Sequence, residues 1–188
     1  MSTPRFVLRE SGLAGLKVIE RCLLEDSRGS LSRFFSADAF REMGFTDPVN
    51  QINLTVTKRM GTVRGLHFQH PPHAEVKVVS CLRGRIFDVG VDLRRDSPTF
   101  LQWRGEILSG ENLTSLLLPR GFAHGFQTLE PDCELLYLHS APHTPEAEDG
   151  LHPMDPALAI SWPLEIAELS EKDRGRAFIA REFQGISL

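Results

Sequence analysis

The sequence predicts an all-β fold with a few short helices. Three observations carry this: short runs of strand-forming residues recur along the chain, Gly, Pro, Asn or Asp bound most of them, and only two segments carry helix-start signals. Such strands bury one face each by stacking as a sandwich or closing as a barrel, and a barrel leaves a mouth for a small ligand. The 188 residues are enough for one core, and the 15 glycines and 12 prolines are spread without a linker-like tract. A single domain over residues 1–188 is therefore expected.

In chain order, strand character is found at 16–19, 30–35, 51–57, 62–68, 75–81, 85–91, 99–107, 112–118, 125–128 and 134–138. Val76 and Val78, and then Ile86, Phe87, Val89 and Val91, show partial alternation, and Arg83-Gly84-Arg85 between them reads as a hairpin turn. Ser36 is placed to cap a short helix through Ala39 and Phe40 that stops at Gly44. Ser170, followed by Glu171, Lys172 and Asp173, opens a second helix.

Composition narrows the function. The 21 Lys and Arg against 25 Asp and Glu give a net charge of −4, and no basic block exceeds scattered pairs such as Arg94-Arg95. A nucleic-acid or anionic-membrane surface has no support. The longest apolar runs, such as Leu116, Leu117 and Leu118, fall far short of the roughly 20 residues a membrane helix needs, and the start Met1-Ser-Thr-Pro-Arg lacks a secretory apolar stretch. A cytoplasmic location is expected. Cys22, Cys81 and Cys133, odd in number and widely spaced, read as reduced thiols of the interior.

The densest polar cluster is Arg64-Gly65-Leu66-His67-Phe68-Gln69. Strict alternation puts Arg64 and Leu66 on one face, with Gly65, His67 and Gln69 on the other. An interior His with a partner is a natural general base, whereas a satisfied core histidine is the plainer alternative. A second cluster, Pro119 to Phe126, sets His124 between glycines in a Pro-x-Gly-x-x-His spacing like the second motif of metal-binding cupins. The first motif fails, because Gln69 stands where a His ligand is needed, and no metal is expected. Tyr137 is the only tyrosine beside 12 phenylalanines, so its hydroxyl is either present for proton donation or hydrogen bonding, or a core ring's solvent-facing tip. Lys77, among Val76, Val78 and Val79, either snorkels outward or holds a negative charge in a pocket.

These residues resemble, in order, the dTDP-4-dehydrorhamnose 3,5-epimerase family, metal-independent members of the cupin superfamily. The matching segments include Asp26-Ser-Arg28-Gly29, Gln51-Ile-Asn53, Arg64-Gly-Leu-His67-Phe-Gln69, Lys77-Val-Val, Asp88-Val-Gly-Val-Asp92-Leu-Arg94, Pro119 to Phe126, Glu134-Leu-Leu-Tyr137, Pro145-Glu-Ala-Glu148 and Leu169-Ser-Glu-Lys172-Asp173. The resemblance implies a cupin-type double-stranded β-helix, or jelly-roll barrel, as a homodimer with strands contributed across the interface. It implies no cofactor, and as substrate a nucleotide-diphosphate 4-keto-6-deoxy sugar used in deoxysugar and surface polysaccharide synthesis. His67 is implied as the base that removes a proton beside the C4 keto group, oriented by Asp173, with Lys77 on the enolate oxygen and Tyr137 as the acid on the opposite face. Arg28, Gln51, Asn53, Arg64, His124, Glu148 and Lys172 are implied as substrate contacts, and Gln69 shares the His67 surface.

Departures from the family fall on the side that recognises the base. Leu31 and Arg33 stand where Phe and Glu are usual, and His143 stands where a second Tyr stacks on thymine. Arg33 donates hydrogen bonds where a carboxylate accepts them, so CDP, GDP or UDP enters beside dTDP as an expected nucleotide. Epimerisation at C3, at C5 or at both is compatible with these motifs. A sugar-nucleotide 3,4-ketoisomerase would lack Arg-Gly-Leu-His, and a non-catalytic sugar-nucleotide-binding cupin would lose His67, Lys77 or Tyr137.

Overall fold

A computed structural model describes residues 5–188. The start of the chain read above for a secretory signal lies, for residues 1–4, outside the described residues. Thirteen strands and two short helices follow one another: β1 (Phe6–Glu10), β2 (Lys17–Arg21), β3 (Leu23–Asp26), β4 (Gly29–Ser32), α1 (Ala37–Glu42), β5 (Gln51–Thr57), β6 (Val63–Gln69), β7 (Lys77–Arg83), β8 (Arg85–Asp92), β9 (Trp103–Ser109), β10 (Thr114–Leu118), β11 (Phe122–Thr128), β12 (Cys133–His139), β13 (Glu148–Gly150) and α2 (Glu171–Arg174).

The strands form a six-stranded sheet in the order β1-β2-β10-β7-β12-β5 and a five-stranded sheet in the order β13-β6-β11-β8-β9, all antiparallel. This is the jelly-roll arrangement of the cupins. A core of Val18, Val79, Ile86, Leu108, Leu116, Phe126 and Leu135 fills the space between the sheets, and each such side chain contributes about 1.5–3 kcal/mol by leaving water. Both outer faces carry cover. Phe40 of α1 and Phe45 pack with Val78, Leu117 and Leu138 outside the six-stranded sheet, and the segment after β13 lays Leu151, Leu158, Trp162 and Ile186 over Leu66, Val89 and Val91 of the other. The buried thiols of Cys81 and Cys133 are unpaired core groups, and burial pushes Cys81 up to about 12.

Several predicted elements shift. The step at Gly84 is not a hairpin, since β7 and β8 lie in different sheets, and the chain changes sheet there with Gly84 at φ +76°, where a Cβ would sit 2.8 Å from Cys133 Sγ. The run at 99–107 begins only at Trp103, because Thr99 is used in a turn and Leu101 has φ +59°. The strand at 30–35 ends at Ser32 and pairs with β3 in a hairpin that joins neither sheet. Strand β11 starts before its glycine, at Phe122, and β1, β3 and β13 carry no run strong enough to be read from sequence. Ser36 holds the cap position of α1 through its backbone carbonyl, without a side-chain bond, whereas the Ser170 hydroxyl accepts from the Asp173 N–H at 3.0 Å as predicted for α2.

Strand β5 inverts the usual pattern. Its inward residues Gln51, Asn53, Thr55 and Thr57 are polar, while Ile52, Leu54 and Val56 face outward, 61%, 58% and 49% exposed, at the edge of the six-stranded sheet.

Candidate active site

The inward face of the six-stranded sheet turns from apolar to polar toward one end of the sandwich. Register sets the order: Thr55, Leu135 and Cys81 form one cross-strand row, Asn53, Tyr137 and Val79 the next, and Gln51, His139 and Lys77 the last. Residues directly opposite in antiparallel strands have Cβ atoms about 4.5–5.5 Å apart, so each row is a contact group. Glu75, just before β7, bridges the last row. One of its oxygens accepts the Nδ1–H of His139 at 2.7 Å, and the other lies 3.2 Å from Lys77 Nζ. Burial alone would raise this carboxyl, but the Lys77 charge and the His139 hydrogen bond outweigh it and hold Glu75 below the usual carboxylate range.

Tyr137 lies one row deeper, with its ring stacked on His139 at 5.8 Å and 17°. Burial, reinforced by the charge of Asp88, raises the Tyr137 hydroxyl above the ordinary phenol range. It is therefore a group that holds its proton in the resting site. Gln51 donates its side-chain amide to Asn53 at 3.1 Å, and Asn53 Nδ2 lies 3.4 Å from His139 Nε2.

The opposite wall is built on β6, where the alternation expected from sequence breaks. The register with β11 passes from His67–His124 to Arg64–Phe126, so Gly65 and Leu66 together oppose the single residue Gly125. Gly65 makes this bulge possible: it has φ +125°, and a Cβ there would sit 2.5 Å from Gly125 Cα. Leu66 is turned outward under the C-terminal segment, and Arg64 joins His67 on the cavity wall. The predicted pairing of Arg64 with Leu66, opposite His67, is thus replaced by Arg64 beside His67.

His67 Nε2 is 2.6 Å from Asp173 Oδ1. Asp173 is buried in the first turn of α2, and its second oxygen accepts the Gly65 N–H at 3.4 Å. Burial works against its ionisation, but the bonds from His67, Ser170 and Gly65 and the charge it faces bring it below the usual carboxylate range. With Nε2 committed to Asp173, Nδ1 is the nitrogen of His67 left to take a proton. Deeper in, His124 Nε2 meets Asp88 Oδ1 at 2.8 Å, and burial, only partly offset by Asp88, pulls this imidazole below its ordinary value.

A cavity of about 370 Å³ is lined by Gln51, Asn53, His67, Phe68, Gln69, Glu75, Lys77, His139, His143 and Glu148. It shares Asn53, His67, Lys77 and His139 with a recess of about 190 Å³ that adds Thr55, Arg64, His124 and Tyr137. At the rim, Glu148 accepts from His143 Nε2 at 2.7 Å and from Lys172 Nζ at 2.6 Å, with Arg176 3.6 Å away. Burial pushes Glu148 up, but these partners prevail and lower it to about 2. Among the described residues, no group of three or more His, Cys, Asp or Glu side chains is arranged to hold a metal ion. Nor, among them, is any helix long and apolar enough to cross a membrane.

The structure thus brings together His67, Lys77, Tyr137, Asp173, Gln51, Asn53, Arg64, His124, His143, Glu148 and Lys172. Gln69 lines the same cavity, and two expected residues stand apart. Arg28, 87% exposed at its side chain and paired with Asp26, sits on the β3–β4 turn, and Arg33 follows that hairpin, so neither lines the cavity. Gln69 is buried at the wall, but its carboxamide donates to the carbonyls of His73 and Pro142 and accepts the Thr144 N–H at 2.6 Å. It braces the rim while also lining the cavity. Sequence reading missed Glu75, His139 and the role of Asp88. His139 was signalled by its place two residues after Tyr137, which puts both on one face of a strand.

The model of a family described as dTDP-4-dehydrorhamnose 3,5-epimerase matches residues 10–180. The chain is 43% identical over 162 residues to the dTDP-4-dehydrorhamnose 3,5-epimerase of Sinorhizobium fredii, covering 86% of this chain and 83% of that protein. It is 38% identical over 174 residues to the dTDP-4-dehydrorhamnose 3-epimerase of Streptomyces niveus, covering 92% and 84%. The crystal structure of the dTDP-6-deoxy-D-glucose-3,5-epimerase of Legionella pneumophila in complex with dTDP-4-keto-L-rhamnose superposes with a TM-score of 0.87 at 40% identity, covering 92% of each chain.

Proposed function

The chain belongs to the dTDP-4-dehydrorhamnose 3,5-epimerase family, and from that premise we propose that it epimerises C3 and C5 of a dTDP-linked 4-keto-6-deoxyhexose. It is an isomerase of carbohydrates, and its product serves deoxysugar and surface polysaccharide synthesis. The observation that carries the mechanism is the placement of two proton-transfer groups on opposite walls of one recess, His67 on the five-stranded sheet and Tyr137 on the six-stranded sheet. Inversion requires this, because a base alone returns the proton to the face it came from.

His67 Nδ1 takes the proton next to the C4 carbonyl, and the C–H electron pair passes into the enolate. Asp173 holds the ring and stabilises the imidazolium, a combination that contributes about 10²–10⁴-fold. Lys77 Nζ stabilises the enolate oxygen, contributing roughly 10²–10³-fold. Tyr137 returns a proton from the other wall. Arg64 and Lys172 supply cations for the diphosphate.

The apolar outer face of β5 is covered by a second copy of the chain, forming a homodimer. Ile52, Leu54 and Val56 are an exposed apolar row on an edge strand, a pattern that leaves a sheet open to pairing. In that dimer, Arg28 and Arg33 of one copy reach the cavity of the other, which accounts for their distance from their own.

The test is hydrogen exchange in D₂O, following H3 and H5 of dTDP-, CDP-, GDP- and UDP-linked 4-keto-6-deoxysugars by NMR, with His67→Ala as control. His67-dependent exchange at both carbons, fastest with the dTDP sugar, is the expected result. A faster GDP, CDP or UDP sugar would reassign the nucleotide to the side where Leu31, Arg33 and His143 stand, and no exchange with any of them would overturn the epimerase reading.

A further inference from the structure

The six-stranded wall carries an imidazole–carboxylate pair of its own that the mechanism above leaves unused. Glu75 accepts the Nδ1–H of His139 at 2.7 Å, much as Asp173 partners His67 across the cavity. His139 lines both the outer cavity and the inner recess, shares the inward face of β12 with Tyr137, and lies in register with Lys77. Its Nδ1 is fixed by Glu75, and in the resting site Nε2 accepts the Asn53 Nδ2–H at 3.4 Å, a long bond that opens when Nε2 carries a proton. A carboxylate that orients an imidazole also stabilises its protonated form. Glu75 stands between His139 and Lys77, 2.7 Å from the one and 3.2 Å from the other.

A 3,5-epimerase has two carbons to invert and must deliver a proton to each from the wall opposite its base. Resting on the epimerase reading, we propose that His139, positioned by Glu75, is a second proton-transfer group of this site and serves one of the two carbons, while Tyr137 serves the other. In the step, the substrate C–H proton goes to His67 and its electron pair forms the enolate. The enolate pair then bonds to the proton on His139 Nε2, leaving His139 neutral. His139 regains a proton from solvent through the open cavity, and His67 releases its own.

The experiment separates wash-out of the substrate proton from inversion, measured at C3 and C5 by NMR in D₂O with the dTDP-4-keto-6-deoxyglucose substrate. In His139→Asn, which keeps an N–H for Glu75, inversion at one carbon is expected to fall about 10²-fold or more while His67-dependent wash-out at that carbon persists. His139→Gln, which retains a hydrogen-bonding group in the region of Nε2 but transfers no proton, is expected to behave like His139→Asn. Tyr137→Phe is expected to impair the other carbon. Wash-out and inversion falling in parallel at both carbons, rescue by His139→Gln, or no change in either variant would overturn the proposal. If instead the unaltered protein washes out no proton, the epimerase reading fails first and takes this inference with it.

Discussion

His67 and Asp173, 106 residues apart in sequence, meet through an Nε2–Oδ1 contact of 2.6 Å, and the same aspartate also receives the backbone N–H of Gly65. The cap of α2 therefore holds the carboxylate, and the carboxylate holds the His67 ring. Asp173→Asn keeps the size of the side chain but removes the charge that stabilises an imidazolium. Its expected effect is a fall of about 10²–10⁴-fold in the His67-dependent exchange rate, with substrate affinity little changed. Equal exchange rates for the variant and the unaltered protein, measured in D₂O at saturating substrate, would show that Asp173 has no part in the chemistry.

The bulge at Gly65 gives a second prediction. Gly65→Ala introduces a Cβ 2.5 Å from Gly125 Cα and 2.7 Å from the His124 carbonyl, at a φ of +125° that L side chains avoid. The expected cost is about 1–3 kcal/mol of stability. A larger relative loss of activity should accompany it, because Arg64 and His67 share one wall only through this bulge. Thermal unfolding and exchange kinetics on the same preparation check it, and an alanine variant with unaltered melting and turnover would contradict this account of β6.

That bulge also marks the limit of what was legible in sequence. The strand run at 62–68 was readable, and so was His67 as a base candidate, because both follow from residue type and local pattern. Which side Arg64 faces was not, since it depends on how β6 pairs with β11, a contact made across sequence. Glu75 and His139 were missed for the same reason: their bond joins segments 64 residues apart, and neither stands in a conspicuous local motif. Gly84 misled in the opposite sense. A glycine between two alternating strands signals a hairpin locally, but here the chain uses its positive φ to pass from one sheet to the other.

Acid stability should follow Glu148. Its folded value, about 2, lies below the roughly 4.3 of a free glutamate, because Lys172 and His143 favour its ionised form more than burial opposes it. A lowered folded value means the stabilisation is fully present above the unfolded value and is lost as pH falls through the folded one. Glu75 and Asp173 are lowered as well and act in the same direction. The melting temperature is therefore expected to fall steeply between about pH 4.3 and pH 2. Glu148→Gln should flatten part of that fall, and a melting curve with the same acid slope as the unaltered protein would remove Glu148 from the explanation.

The last prediction concerns the row Ile52, Leu54 and Val56. Three large apolar side chains, each about half exposed or more, project from an edge strand whose polar residues face the cavity, so covering the outer face with a second copy removes apolar surface from water and leaves the site intact. The unaltered protein is expected to run as a dimer in light scattering, and Leu54→Glu to shift it to monomer by placing a charge within that face. Exchange of subunits then tests where Arg28 acts. Arg28→Ala and His67→Ala chains are each expected to be weakly active or inactive alone. When they are mixed, a dimer of the two holds one site with both His67 and a neighbour's Arg28, and activity should return. Recovery in the mixture places Arg28 in the other copy's cavity. A mixture no more active than its separate components would confine Arg28 to its own chain, where it stands 87% exposed beside Asp26 and away from the chemistry.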